Sequence, residues 1–298
     1  MLNDKFKSYL HLHLLVFIAG FTGILGELIT LDAVTLVWFR MLIALVFIFI
    51  YLKYKRTKLK INKASLIKFS LAGIIIALHW ITFFESIKQS NISIALAMFS
   101  TGAFFTALIE PFFYKRRIIA YEVFFGALIV SGVFLITNAE IQYIKGITYG
   151  IASAIFSAFF SVLNGTFVKK HKASVISFYE FISGVLFISL FILLFKQNFQ
   201  DSYFNMLIPD WIYLLILSSI CTAYAFIAAT HVMKQLSPFT VVLTYNLEPI
   251  YGIALAILLF PEKESMSAEF YIGVLLILIT VIFNGILKNL NKLKRKPS

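Results

Sequence analysis

Apolar runs of about 20 residues recur along the whole chain, and each is long enough to cross a hydrocarbon core of roughly 30 Å as a helix. They fall at about 10–28, 33–52, 66–87, 91–114, 118–138, 146–168, 174–196, 209–233, 238–260 and 268–288. Backbone exposed to lipid must bond within its own segment, so helices are the structure these runs demand. The apolar–polar alternation of a β-barrel is missing from the sequence. The narrowest divisions are Lys88-Gln89-Ser90-Asn91 and Lys234-Gln235-Leu236-Ser237-Pro238, and Pro238 supports the second because proline ends or restarts helices. Composition agrees. Only 13% of the 298 residues are charged and mean hydropathy is +0.91, whereas a soluble domain carries about 25% charged residues. The single cysteine, Cys221, excludes an intramolecular disulfide and a cysteine-based metal cluster. No cofactor and no metal are expected.

A net charge of +12 would suit nucleic acid, but its placement points elsewhere. With the N-terminus in the cytoplasm, the cytoplasmic segments carry 21 of the 26 Lys and Arg, the densest being the 53–68 stretch. The outer loops carry four, Lys88, Lys145, Lys196 and Lys263, and Arg40 lies within a span. That split follows the positive-inside rule. It implies a multi-pass inner-membrane protein with both termini cytoplasmic, a basic tail at 289–298, and anionic lipid rather than nucleic acid as a partner. Lys5 and Lys7 before an apolar stretch imitate a signal peptide. No A-x-A-like site follows, however, and Gly20, Gly23 and Gly26 have helix-packing spacing, so a first span is expected there.

The two halves resemble one another. Lys88-Gln89 aligns with Lys234-Gln235 at an offset of 146, which sets Phe99 on Tyr245 and Phe105 on Tyr251. One residue later in offset, Glu122 falls on Glu269 and Gly126 on Gly273. Upstream, Trp38-Phe39-Arg40 matches Phe178-Tyr179-Glu180 at an offset of 140. Five spans are an odd number, so a second copy would enter the membrane from the opposite side. The expected fold is all-α integral membrane, ten transmembrane helices as two inverted five-helix repeats, an arrangement common in secondary transporters.

Trp38 and Arg40 early in the second span, and Tyr245-Asn246-Leu247-Glu248-Pro249 in the ninth, together with the two-half organisation, resemble the EamA-type branch of the drug/metabolite transporter superfamily. The resemblance covers about 10–138 and 146–288. It implies transport of small metabolites, often export of amino acids or related compounds. The fourth span departs from the pattern, with Phe99-Ser100-Thr101-Gly102-Ala103 carrying no proline where the ninth has Pro249.

An ionisable group at mid-span costs roughly 2.5–3.5 kcal/mol on insertion scales, so each one calls for a reason. Glu248, beside Pro249, is expected to bind an amine or a proton; the plain alternative is a protonated carboxyl bonded to a neighbouring helix. Arg40, roughly 10 Å deep at 1.5 Å per residue, would meet a substrate carboxylate bidentately, lock helices through an ion pair with Glu248, or snorkel to the surface. Glu180 is its counterpart near the other face. Arg40, Glu180 and Glu248 are expected to form a triangle. His79 and Trp80, with Phe83 and Phe84, form i, i+4 pairs that would line an aromatic pocket or face lipid. Tyr245 and Asn246 are the favoured polar contacts in a cavity, ahead of Tyr179 and Tyr224. Ser153, Ser157 and Ser161 read as a helix-packing face.

The sequence holds no G-x-x-x-x-G-K-[ST] loop, no H-E-x-x-H and no G-x-S-x-G, so neither direct ATP-driven pumping nor an enzyme has motif support. The expected function is secondary transport, in the export direction, of a small-molecule substrate by alternating access, coupled to a proton or a counter-substrate. An intramembrane enzyme, a lipid-handling protein and a non-transporting interaction partner are the alternatives. A sugar-phosphate or nucleotide-sugar exchanger would need several basic groups for a phosphate dianion, and the spans hold only Arg40.

Overall fold

The chain is seen in a computed structural model that describes residues 2–115, 120–195, 204, 206–245 and 247–294. Asn246, Arg116, Arg117, Lys196 and the last four residues of the basic tail lie outside the described residues. The polar breaks act as helix caps, and this sets where helices begin. Asp32 accepts from the backbone of Val34 and Thr35, Asn62 from Ser65, and Asn91 from Ile94, each satisfying donors that the first helical turn leaves free.

The helices are α1 (Leu2–Leu28), α2 (Ala33–Tyr54), α3 (Lys63–Gln89), α4 (Ile92–Phe99), α5 (Gly102–Tyr114), α6 (Ala120–Ala139), α7 (Ile144–Phe167), α8 (Ala173–Phe195), α9 (Ile208–Ser218), α10 (Ala225–Val232), α11 (Pro238–Tyr245), α12 (Glu248–Leu259) and α13 (Ala268–Lys294). A 3-10 turn, Ile141–Tyr143, precedes α7, and a π-helical turn, Ser219–Tyr224, joins α9 to α10. There is no strand among the described residues. Among the described residues, eight helical stretches are long and apolar enough to cross a membrane; the runs expected at 118–138 and 268–288 coincide with the shorter apolar helices Phe124–Ala139 and Ala268–Phe283. Phe47, Ile50, Leu71, Phe134, Leu190, Leu194, Ile272 and Phe283 are all exposed. Apolar surface on that scale needs lipid to cover it.

Three of the expected spans are interrupted. Between α4 and α5, Ser100 Oγ bonds the carbonyl of Ala97 at 2.6 Å and Thr101 Oγ1 that of Met98 at 2.6 Å. Local hydroxyls thus take up carbonyls at the break, and no proline is required. Between α11 and α12 the restart instead has Pro249 in the first turn, where its missing N–H costs nothing. Both interruptions fall at the same offset of 146: α4 ends at Phe99 and α11 at Tyr245, while α5 begins at Gly102 and α12 at Glu248.

Packing runs largely between the halves. Helix α3 lies against α7 and α8, α2 against α8 and α9, α1 against α10 and α12, α4 against α12, α5 against α11, and α6 against α13. At one end of the bundle the loops interlock. Lys88 Nζ donates to the Ile29 carbonyl at 2.7 Å, Asp210 holds the Thr30 backbone and hydroxyl, and Glu140 holds Ser267. The buried Glu264 carboxylate accepts from the Ile92 and Ser93 amides at the start of α4, both at 2.9 Å, and Lys263 pairs with Glu27 at 2.7 Å. The Glu27 carboxylate holds the Lys263 ammonium above the ordinary lysine range. At the other end, Tyr179 Oη bonds the Leu59 carbonyl, Ser65 meets His171, and Lys169 lies over the Tyr114 ring.

Helix α3 approaches α8 through Gly73, where an added Cβ would run into the Glu180 backbone carbonyl. Gly73→Val is therefore expected to destabilise the protein by about 1–3 kcal/mol or more, seen as a lower melting temperature in detergent. Gly102, whose added Cβ would find its nearest neighbours at 3.7 Å, is the control: Gly102→Ala should leave the melting temperature nearly unchanged.

Candidate functional site: a central polar cavity

A cavity of about 120 Å³ lies inside the bundle. The interrupted helices reach it: Phe99 ends α4, Cys221 sits in the π turn, Tyr245 ends α11 and Glu248 begins α12. Phe83, Phe99, Phe160 and Phe226 supply aromatic wall, while Ser157, Ser161, Asn164 and Thr230 supply neutral polar groups. Its lining runs from the middle of the bundle toward Asn164 and Met233, near the turns at the basic end.

Arg40 is the cation of this cavity and is 2% exposed. Its guanidinium lies over the Trp80 ring at 4.2 Å and nearer the edge of contact with Phe84 at 5.4 Å. A weakly hydrated planar cation on an aromatic face keeps its charge at reduced cost. Nε donates to Thr222 Oγ1 at 2.7 Å, and that hydroxyl in turn donates to the Leu217 carbonyl at 2.6 Å within the widened π turn. The turn thereby gives Thr222 one bond to its own backbone and leaves its oxygen lone pair to orient Arg40. Nη1 is buried with no hydrogen-bond partner.

Glu248 is within electrostatic reach of Arg40 and shares the cavity wall with it, but the two are not in ion-pair contact among the described residues. A carboxylate in the first turn of α12 is favoured by the helix dipole. His79 also lines the cavity, and its Nδ1 contacts both the Ser153 carbonyl at 3.0 Å and Ser153 Oγ at 2.9 Å. That pairing fixes the ring against α7 and turns the other nitrogen away from Ser153.

Of the residues expected from sequence, Arg40, His79, Trp80, Tyr245 and Glu248 come together on this one cavity. Asn246 lies outside the described residues. Glu180 does not line the cavity. It is fully buried on α8 with neither carboxylate oxygen in a well-formed hydrogen bond, and it interacts with Asn164, which does line the cavity, so Glu180 sits behind the wall. Tyr179 is engaged with Leu59, and Tyr224 lies on the exterior with its hydroxyl 2.8 Å from His11 Nε2. Sequence reasoning missed Asn164, Thr222 and the cavity-facing role of Ser157 and Ser161. The signal for α7 was present: Ser153, Ser157, Ser161 and Asn164 follow i, i+4, i+8 and i+11, one polar stripe along a helix.

An α-helical bundle with an apolar exterior and broken spans around a central, largely apolar cavity carrying a few charged and polar groups has the architecture of a multi-pass membrane protein. The chain belongs to the EamA-like transporter family, whose model matches residues 6–138 and again 144–286. The "Uncharacterized transporter YxxF" of Bacillus subtilis (strain 168) is 24% identical over 171 residues, 54% of this chain and 54% of that protein; the match thus spans about half the length of this curated relative. A solved crystal structure at 15% identity superposes with a TM-score of 0.67, covering 94% of this chain and 97% of the other, which shows a shared fold.

Thr222 carries the geometry of Arg40. Thr222→Val keeps the shape but removes both bonds, leaving Nε–H without its acceptor, and is expected to cost about 1–3 kcal/mol. Thr222→Ser should recover most of that loss. Thermal unfolding of the two purified variants beside the unmutated chain measures both.

Proposed function

We propose that this chain is a secondary transporter that exports a small zwitterionic, amino-acid-like metabolite across the inner membrane by alternating access. One observation carries the reading: a single buried cavity presents Arg40 and Glu248 on its wall, near one another but not paired, among aromatic rings and neutral polar groups. The guanidinium suits a carboxylate and Glu248 suits an ammonium, while Trp80 and the phenylalanines cover an apolar body. Glu248 also offers a site for a coupled proton, with exchange for a counter-substrate as the other source of energy.

The proposed architecture is ten spans in two inverted five-helix repeats, 10–138 and 146–288, with both termini cytoplasmic. The common offset of the two interrupted helices supports it, as does the exchange of packing partners: α3 lies on α7 as α10 lies on α1, and α4 pairs with α12 as α5 pairs with α11. Transport rather than catalysis is proposed, because the hydroxyl paired with the cavity's imidazole, Ser153 Oγ on His79 Nδ1, is outside the cavity lining and so is not presented to a bound molecule as a nucleophile.

Metabolite profiling of cells with and without the chain would identify the cargo, and proteoliposome flux of that cargo then tests the site. Arg40→Lys loses the planar bidentate fork, and Glu248→Gln loses the charge; each is expected to reduce flux at least about tenfold, the equivalent of roughly 1.4 kcal/mol, while melting within a few degrees of the unmutated chain. Normal flux through both folded variants would sink the assignment.

A further inference from the structure

A second hollow, of about 420 Å³, opens at the basic end of the bundle, where α2 turns into α3 and α7 turns into α8. Arg56, Lys58 and Lys60 line it from the first turn, and Lys170, His171 and Lys172 from the second. Residues more than a hundred positions apart thus converge five permanent cations on one concave space. Carboxylates are missing from its lining, and the sequence has none anywhere in 33–84 or 141–179. A loop charge that served topology alone would spread outward to lower its own repulsion. Lys53 and Lys55 do so, lying over the Phe49 and Tyr54 rings instead of the hollow.

The walls are held in place. Tyr179 Oη donates to the Leu59 carbonyl at 2.7 Å, Ser65 Oγ meets His171 Nε2 at 3.1 Å, and the Phe69 ring meets the His171 ring edge-on. Helix α2 closes with the Thr57 amide on the Leu52 carbonyl and the Arg56 amide on that of Lys53, both at 3.0 Å. This is the pairing of a Schellman cap, in which glycine is usual at the left-handed position. Here that position is Arg56, with φ of 46°. A non-glycine residue there costs about 1–2 kcal/mol, and it projects a guanidinium into the hollow where glycine would leave the site one cation short. Half-buried Ile61 and buried Val175 add apolar floor.

We propose that this hollow is a binding site for an anionic phosphate group, tying the α2–α3 turn to the α7–α8 turn. Phosphate oxygens accept from guanidinium and ammonium donors together, and the same chemistry is offered by a phospholipid headgroup at the membrane surface or by a soluble phosphate. The site is independent of what the central cavity carries.

The test uses the purified full chain titrated with water-dispersed short-chain phosphatidylglycerol, its phosphatidylcholine counterpart, and inorganic phosphate. Hydrogen exchange on the unmutated chain is expected to slow at 55–61 and 169–173 with phosphatidylglycerol but not with phosphatidylcholine. A surface cation is worth about 1 kcal/mol toward an anionic headgroup, about fivefold in affinity. Lys58→Gln/Lys170→Gln should therefore weaken binding by roughly 25-fold, while Lys53→Gln/Lys55→Gln, with the same loss of charge outside the hollow, binds as before. Protection by inorganic phosphate at comparable concentration would keep the site and make its occupant a soluble phosphate. Equal protection by the zwitterionic lipid, equal weakening in both double variants, or no protection by any probe would overturn the proposal.

Discussion

A bilayer offers backbone N–H and C=O groups no partner, so a spanning helix can be interrupted only where protein takes over the lost bonds. The rest of this molecule is arranged around that rule. All three interrupted spans turn their breaks inward. Ser100 and Thr101 satisfy carbonyls at one break, the π turn with Thr222 widens another, and Pro249 starts α12 without a donor to lose at the third. Each break brings a residue at or beside it to the same central space: Phe99, Cys221, and Tyr245 with Glu248. The cavity is what the interruptions surround.

Charge in that space obeys the same economy. A guanidinium taken out of water loses hydration that a lone counter-ion seldom restores in full. Arg40 instead meets an aromatic face, one hydroxyl and a carboxylate at a distance. An ion pair in direct contact with Glu248 would have bound both groups to each other and left a ligand to compete with it. Separation keeps each group's second interaction available, and the cost is met by the Trp80 face and by the Thr222 bond, which itself exists because the π turn leaves Thr222 directed at Leu217.

The helices were legible from sequence because their signals are local. Apolar runs fix spans: α2 begins at the expected residue, α4 one residue and α3 three residues from the expected start, with Asp32, Asn91 and Asn62 as their caps. Five cavity residues were legible because Arg40, His79 and Glu248 are ionisable groups within spans, Trp80 is one of only three tryptophans, and Tyr245 stands beside Glu248-Pro249. Glu180 was equally conspicuous, yet it lies behind the wall: depth in a span can be counted from sequence, but the rotation that points a side chain into a cavity or behind it depends on packing, here on the close contact of α3 with α8 at Gly73. Asn164 and Thr222 were missed for the converse reason. Neither is costly enough alone to stand out, and the role of Thr222 depends on a π turn that no residue type announces.

The two ends of the cavity are not equivalent, and the difference bears on how such a site would change its access. At the end where the loops interlock, Lys263 pairs with Glu27, Glu264 holds the first amides of α4, and Asn91 donates to the Lys263 carbonyl. These contacts join α1, α4 and the segment between α12 and α13. A typical intramolecular hydrogen bond is worth a net of about 1 kcal/mol, and more where a charge takes part, so the closure amounts to a few kcal/mol. That is the range in which a second conformation is populated at the per cent level and can be selected by a ligand. Toward Asn164 and Met233 the lining has no comparable set of charged contacts among the described residues. An opening at the Glu264 end would therefore have to be driven by what occupies the cavity, and the carboxylate most directly connected to it is Glu248, at the opposite end of the same helix, α12, that leads to Lys263 and Glu264.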